Sequence, residues 1–286
     1  MTVLAVTSPP RKRWRFVEPS ALPGFGPAMG LTLVYLSFFL LLPLAALIVR
    51  PWEAGFGHFW SVISSERAID ALKLSFGASF LAACINAVFG AIAAWVLVRY
   101  EFPGKRLLDA FVDLPFALPT AVAGISLAAI YAPNGVVGGL FPHTQIAYTP
   151  LGVLIALTFV GFPFIVRSIQ PVLQDLDVDA EEAAATLGAG RLRTIFTVVV
   201  PAIAPALLAG FSLAFARAVG EYGSVIFIAG NIPNVSEIAP LLIVIRLEEF
   251  DYAGAAGVGL VMLAASSIML LVLNYLQSVL ARRGRP

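Results

Sequence analysis

Two charged side chains, Arg217 and Glu221, interrupt a stretch that is otherwise apolar from residue 198 to residue 230. Charge at bilayer depth is costly and marks a functional candidate by default. Four residues apart on a helix, the two share a face and partly neutralise one another. Two roles are open to them. They form a buried ion pair that fixes the packing of their segment, or Arg217 faces a translocation path with Glu221 holding it in place. In the second case the forked donors of the guanidinium suit a tetrahedral oxyanion, and Gly220 and Gly223 add exposed backbone or a hinge. A second candidate lies between residues 170 and 200. There Asp177 and Asp179 are helix N-cap candidates, the run from Ala180 to Leu187 is strongly helix-forming, and Gly188 stands where a C-terminal cap belongs. Arg191-Leu192-Arg193 opens a further helix that enters the membrane and is interrupted at Pro201. Two short helices set at an angle make an exposed knob, or simply a helical hairpin at the bilayer surface.

The other reactive residues form no constellation. Cys84 is the single cysteine, which excludes an intrachain disulfide and a cysteine metal cluster. His58 and His143 are far apart, without ligand-type neighbours, and read as loop or interface residues. No glycine-rich loop ending in Gly-Lys-Ser/Thr is present, so this chain does not itself hydrolyse ATP.

Composition sets the solvent in which these residues must be positioned. Apolar residues make up 59% of the 286 and charged residues 12%, with a mean hydropathy of +0.91. A soluble domain carries roughly a quarter charged residues, so this chain could not cover its core in water. The net charge of +1 indicates no nucleic-acid face. A hydrocarbon layer of about 30 Å takes roughly 20 apolar helical residues. Such stretches occur at 29–49, 74–98, 114–132, 146–166, 198–230 and 253–281. The reading is an all-α integral membrane protein with six transmembrane helices. Residues 1–28 are a basic, disordered cytoplasmic tail, 29–49 the first transmembrane helix, and 70–281 a five-helix transmembrane domain with an inner loop at 171–200.

Loop charge orients the spans. With both termini cytoplasmic, the inner segments hold Arg11, Lys12, Arg13, Arg15, Arg99, Lys105, Arg106, Arg167, Arg191, Arg193, Arg282, Arg283 and Arg285. The outer segments hold only Arg50, Arg67, Lys73 and Arg246. Small residues recur every fourth position at Ala78, Ala82, Asn86, Gly90 and Ala94, and again at Ala206, Gly210, Ala214 and Ala218, as close helix packing in lipid requires. Asn86 reads as interhelical glue. Pro115, Pro119, Pro201 and Pro205 predict kinks.

The inner segment resembles the signature loop of ATP-binding-cassette importer permeases: Glu-Ala-Ala, three residues, Gly, nine residues, then Ile-x-Leu-Pro. Glu182-Ala183-Ala184, Gly188 and Val198-Val199-Val200-Pro201 meet that spacing, with Val198 and Val200 as conservative departures. The resemblance implies the type I importer permease (MetI-like) fold, and an ATPase-coupling role for Glu182, Ala183, Ala184, Gly188 and Pro201. In that family the loop carries a coupling helix seated in a cleft of the cytoplasmic ATPase. It also implies that this chain holds no cofactor, ATP and magnesium being bound by the partner.

The run from Ala216 to Ile232, together with Arg246-Leu247-Glu248-Glu249-Phe250-Asp251-Tyr252, Lys73-Leu74-Ser75-Phe76-Gly77 and Leu114 to Gly124, resembles the T-type subunit of sulfate/thiosulfate importers, the CysT family. That likeness implies a multi-pass protein of the bacterial inner membrane. Its implied partners are a second permease of the CysW type, two ATP-binding subunits of the CysA type, and a periplasmic sulfate/thiosulfate-binding protein. The nearest rival is a molybdate or tungstate permease, whose substrates are also tetrahedral dianions. A proton-coupled carrier or an intramembrane enzyme is a rival of another class, disfavoured because the spans hold no second acid, histidine or nucleophile–base pair.

Overall fold

The computed structural model describes residues 25–177, 182–184 and 186–283. In chain order the helices are α1 (Phe25–Trp52), α2 (Phe56–Ile63), α3 (Glu66–Arg99), α4 (Lys105–Val112), α5 (Leu114–Ala117), α6 (Thr120–Tyr131), α7 (Pro150–Asp175), α8 (Arg191–Val219), α9 (Val225–Ile228), α10 (Ala239–Glu248) and α11 (Tyr252–Arg283). Helix is what a bilayer demands, because backbone donors and acceptors there must be paired within their own segment. Five of these, α1, α3, α7, α8 and α11, are long and apolar enough to cross a membrane. Residues up to Ala46 and from Leu47 onward form two compact units, the first holding most of α1. Of the expected 1–28 tail, residues 1–24 lie outside the described residues, while Phe25 already begins α1.

Two expected spans are broken. The third, at 114–132, is not one kinked helix. Leu118 is extended (φ −84°, ψ 135°) between α5 and α6, and Pro119 caps α6. A residue before proline is pushed out of the α region, so the chain breaks there. The twelve residues of α6 rise only about 18 Å, short of a full crossing. The fifth span also stops early: α8 ends at Val219, residues 220–224 are not helical, and only the single turn of α9 follows. Pro201, by contrast, does not interrupt its helix. A π turn over Ile195–Val199 precedes it and absorbs the missing N–H, so α8 continues. The inner loop is shorter than 171–200, since α7 runs to Asp175 and α8 begins at Arg191.

The helices α3, α7 and α8 form the centre of the second unit. Ile165 of α7, fully buried, lies between two glycines. A Cβ on Gly90 would stand 2.7 Å from its side chain, and a Cβ on Gly210 would stand 3.1 Å from its Cα. The fourfold small-residue stripes are therefore the surfaces on which these backbones approach. Asn86 Nδ2 donates to the Thr158 carbonyl at 3.0 Å, joining α3 to α7.

Charges tie both ends of the unit. At one end Arg167 donates to Asp109 at 2.7 Å, to both oxygens of Asp113 at 2.9 and 2.5 Å, and to Gln170 at 2.6 Å, fastening α4 to α7. The Arg167 hydrogen bond holds the Asp109 carboxyl below the usual carboxylate range, against the opposing effect of burial. At the other end Arg67 grips Glu237 with two bonds of 2.7 Å, and the backbone N–H of Ala239 donates to Ser75 Oγ at 2.8 Å. His58 meets Asp251 at 2.9 Å, and Arg246 reaches the other oxygen of that carboxylate at 3.2 Å.

Glu237 lies between the apolar stretches and is nevertheless 2% exposed. Arg67→Leu leaves that carboxylate buried without its partner, and we expect a loss of about 2–3 kcal/mol, below the fully buried limit because Arg67 keeps a third of its side chain exposed. A lowered thermal midpoint in detergent, largely restored in the Arg67→Leu/Glu237→Leu double variant, is the expected result.

Candidate functional site

The C-terminus of α8 carries Arg217, half-buried, and its chain stops being helical at Gly220. Glu221 therefore lies past the helix end and not on the same helical face as the sequence reading had it. The two side chains still meet, Arg217 Nη1 donating to Glu221 Oε2. The second carboxylate oxygen, Oε1, accepts from the Ser224 backbone N–H at 2.9 Å and from Ser224 Oγ at 2.8 Å. Glu221 is 3% exposed and Ser224 fully buried. Both carboxylate oxygens are thus occupied by fixed donors. Among the described residues the other guanidinium nitrogens of Arg217 bond to nothing. The geometry is a held carboxylate that aims a partly exposed guanidinium.

What supports this loop is the other broken span. A Cβ on Gly223 would meet Thr120 Oγ1, and one on Gly124 would collide with the backbone of Ser224. The start of α6 and the break after α8 are therefore in close contact, Gly124 against the Ser224 backbone and Gly223 against the Thr120 side chain. Gly220 has open space around it and is exposed. Interrupted helices at membrane depth occur where the freed backbone is buried in protein or lines a cavity. Of the four translocation-path candidates, Arg217, Glu221 and Gly223 belong to this one joint, and Gly220 forms its free edge. Ser224 and Thr120 were missed in the sequence, although Ser224 stands three residues after Glu221, where a side chain satisfying the carboxylate could be sought.

The knob is a separate place. Residues 182–184 and Thr186 are helical, with Glu182 and Ala183 exposed. Gly188 takes φ +82°, and the Ala189 N–H donates back to the Ala184 carbonyl at 3.0 Å. That bond closes a Schellman-type turn in which glycine bears the left-handed conformation. Leu187, at the tip, is 88% exposed. The capping candidate Asp179 and the helix-formers Ala180, Glu181 and Ala185 lie outside the described residues. Pro201 is exposed in the first turn after the π segment, away from the tip.

Residues 86–286 match the family described as binding-protein-dependent transport system inner membrane component. The chain belongs to this family. It is 46% identical over 264 residues to the sulfate transport system permease protein CysT of Salmonella typhimurium, covering 92% of this chain and 95% of that protein. The protein of the same name from Escherichia coli matches equally, and that of Synechocystis is 45% identical over 96% of both chains. The relatives make this a CysT-type permease, a multi-pass protein of the inner membrane. The fold agrees with solved transporters. A bacterial alginate ABC transporter, crystallised with a periplasmic protein carrying an alginate pentasaccharide, has a chain that superposes with a TM-score of 0.73 at 18% identity, over 88% of this chain and 93% of that one. The MetNI methionine ABC transporter, in an inward-facing conformation, gives 0.55 at 17% identity, over 76% and 96%. The MetI-like permease architecture is shared.

Proposed function

We propose that this chain is the T-type permease of an ATP-driven sulfate/thiosulfate importer. The observation that carries the reading is the 46% identity to a CysT protein over 92% of this chain. In this reading both termini are cytoplasmic, and the end bearing Arg99, Lys105, Arg106, Arg191 and Arg193 faces the cytosol. Glu182, Ala183, Ala184 and Gly188 present a compact apolar-tipped knob to a cleft of a separate ATPase, which binds the ATP and magnesium; Pro201 sets the entry of α8 behind it. A CysW-type permease, two CysA-type subunits and a periplasmic sulfate- or thiosulfate-binding protein complete the assembly.

The mechanism follows from a two-state element biased by nucleotide. Closure of the ATPase pair moves the knob, and α8 carries that motion along its length to the joint with α6. Arg217, pinned by Glu221 on one nitrogen, offers its remaining N–H groups to a passing dianion. Selection belongs mainly to the binding protein, so one guanidinium that attracts the anion without trapping it is adequate. The test is uptake of labelled sulfate in a strain lacking its own permease and supplied with this chain. Sulfate entry that depends on the ATPase supports the assignment. Entry of molybdate alone would reassign the substrate, and uptake without any ATPase would make the chain a carrier.

A further inference from the structure

At the cationic end of the second unit, two hollows lie side by side and share Leu97. The first, about 610 Å³, is polar and is lined by Glu101, Gly104, Lys105, Arg106, Asp109 and Gln174 among others. The second, about 300 Å³, is walled almost wholly by carbon from Ala93, Val96, Leu108, Phe111, Val112 and Phe162. From the shared Leu97 the apolar groove runs on to Ala93, four residues or about 6 Å farther along α3 from its C-terminal end. Between them runs α4, an amphipathic helix whose Leu107 and Phe111 are 60% and 52% exposed.

We propose that this pair of hollows is a binding site for one anionic phospholipid of the leaflet on that side, its phosphate at Lys105 and Arg106 and an acyl chain in the groove along Phe111 and Phe162. The order of chemistry, cations at the mouth and hydrocarbon below, is that of an anionic lipid, and basic pockets between transmembrane helices take such headgroups. Arg106 is exposed and has no ion-pair partner among the described residues. Lys105 is held at 2.6 Å by Glu101, whose side chain is 88% exposed and can swing aside. Asp109 is drawn to Arg167 at 2.7 Å, a guanidinium it shares with Asp113, so its repulsion of a phosphate is lessened and Lys105 and Arg106 carry the attraction. Lipid occupancy would brace α4 against α3 and α7, the same contact that the Arg167 network fastens. The site stands apart from the transport path and depends only on the chain lying in a bilayer.

The full chain in nanodiscs of phosphatidylcholine, with or without phosphatidylglycerol, tests this by native mass spectrometry of retained lipid. Phosphatidylglycerol should stay bound where phosphatidylcholine does not. Lys105→Gln and Arg106→Gln should each weaken retention roughly fivefold, the worth of one cation near a lipid surface. Ala93→Phe, which fills the groove, should also release the lipid; the two surface substitutions keep the test valid should that variant fold poorly. Equal retention of both lipids, full retention by the double Gln variant, or displacement by inorganic phosphate would overturn the proposal. Cross-linking of two chains through Phe111→Cys would assign the groove to a second copy instead.

Discussion

Glu182→Lys should abolish sulfate uptake by the assembled importer, to a few per cent of the parent or below, while the chain still inserts and accumulates. Glu182 is exposed on the knob and bonds to nothing among the described residues, so its replacement leaves the permease itself intact. Its charge acts on the ATPase. Reversing a charge at a docked contact costs several kcal/mol through like-charge juxtaposition, and about 3 kcal/mol already reduces occupancy more than a hundredfold. Gly188→Val should reach the same end by another route. A Cβ there meets no atom within 4 Å, so no clash arises within the chain. At φ +82°, however, a β-branched residue is strained, and the turn that sets the knob opens. Co-purification of the ATPase should fall with uptake in both variants. Normal uptake in either would remove the coupling role.

The second large effect is expected at Arg217. Arg217→Ala should lower uptake about 10- to 100-fold, the worth of a charge-assisted hydrogen bond lost from the path. It should also cost stability, because Glu221, buried, loses its countercharge although its Oε1 keeps both Ser224 donors. Uptake is therefore compared per unit of inserted protein. Arg217→Lys should restore transport poorly, because an ammonium can replace the pairing with Glu221 or reach the anion but lacks the fork to do both. Arg217→Leu/Glu221→Leu separates the two roles. If that variant is stable but does not transport, Arg217 serves the anion; if it transports normally, the pair only packs the joint. Initial rates of labelled sulfate uptake, with membrane abundance measured in parallel, supply the comparison.

How much of this was legible in the residues differs from element to element. Membrane residence needed no tertiary information, because the cost of putting a residue into hydrocarbon is set locally and adds along a window. The spacing from Glu182 to Pro201 was equally readable, since it concerns one helix, its cap and the next helix start. The end of α8 was not. An apolar window is the same whether its residues are helical or form a packed apolar turn, so 198–230 read as one span. What ends the helix at Val219 is a set of partners elsewhere: Ser224 capping Glu221, and Thr120 and Gly124 accepting the turn. Pro119 announced a kink, but only its neighbours decide between a kink and a break.

The pairing of charges was hidden for the same reason. Glu237 and Arg67 are separated by 170 residues, and Arg167 and Asp113 by 54. A sequence shows that each charge sits near a span end; whether water or another side chain satisfies it depends on which ends are brought together. For Arg217 and Glu221 the sequence alone determined that two opposite charges lie within an apolar segment and must be paired. The tertiary structure decided the rest. Because the helix stops between them, Glu221 is turned inward against Ser224 and buried, and Arg217 keeps free donors at a joint of two broken helices, the place where backbone and charge can both be offered to an anion.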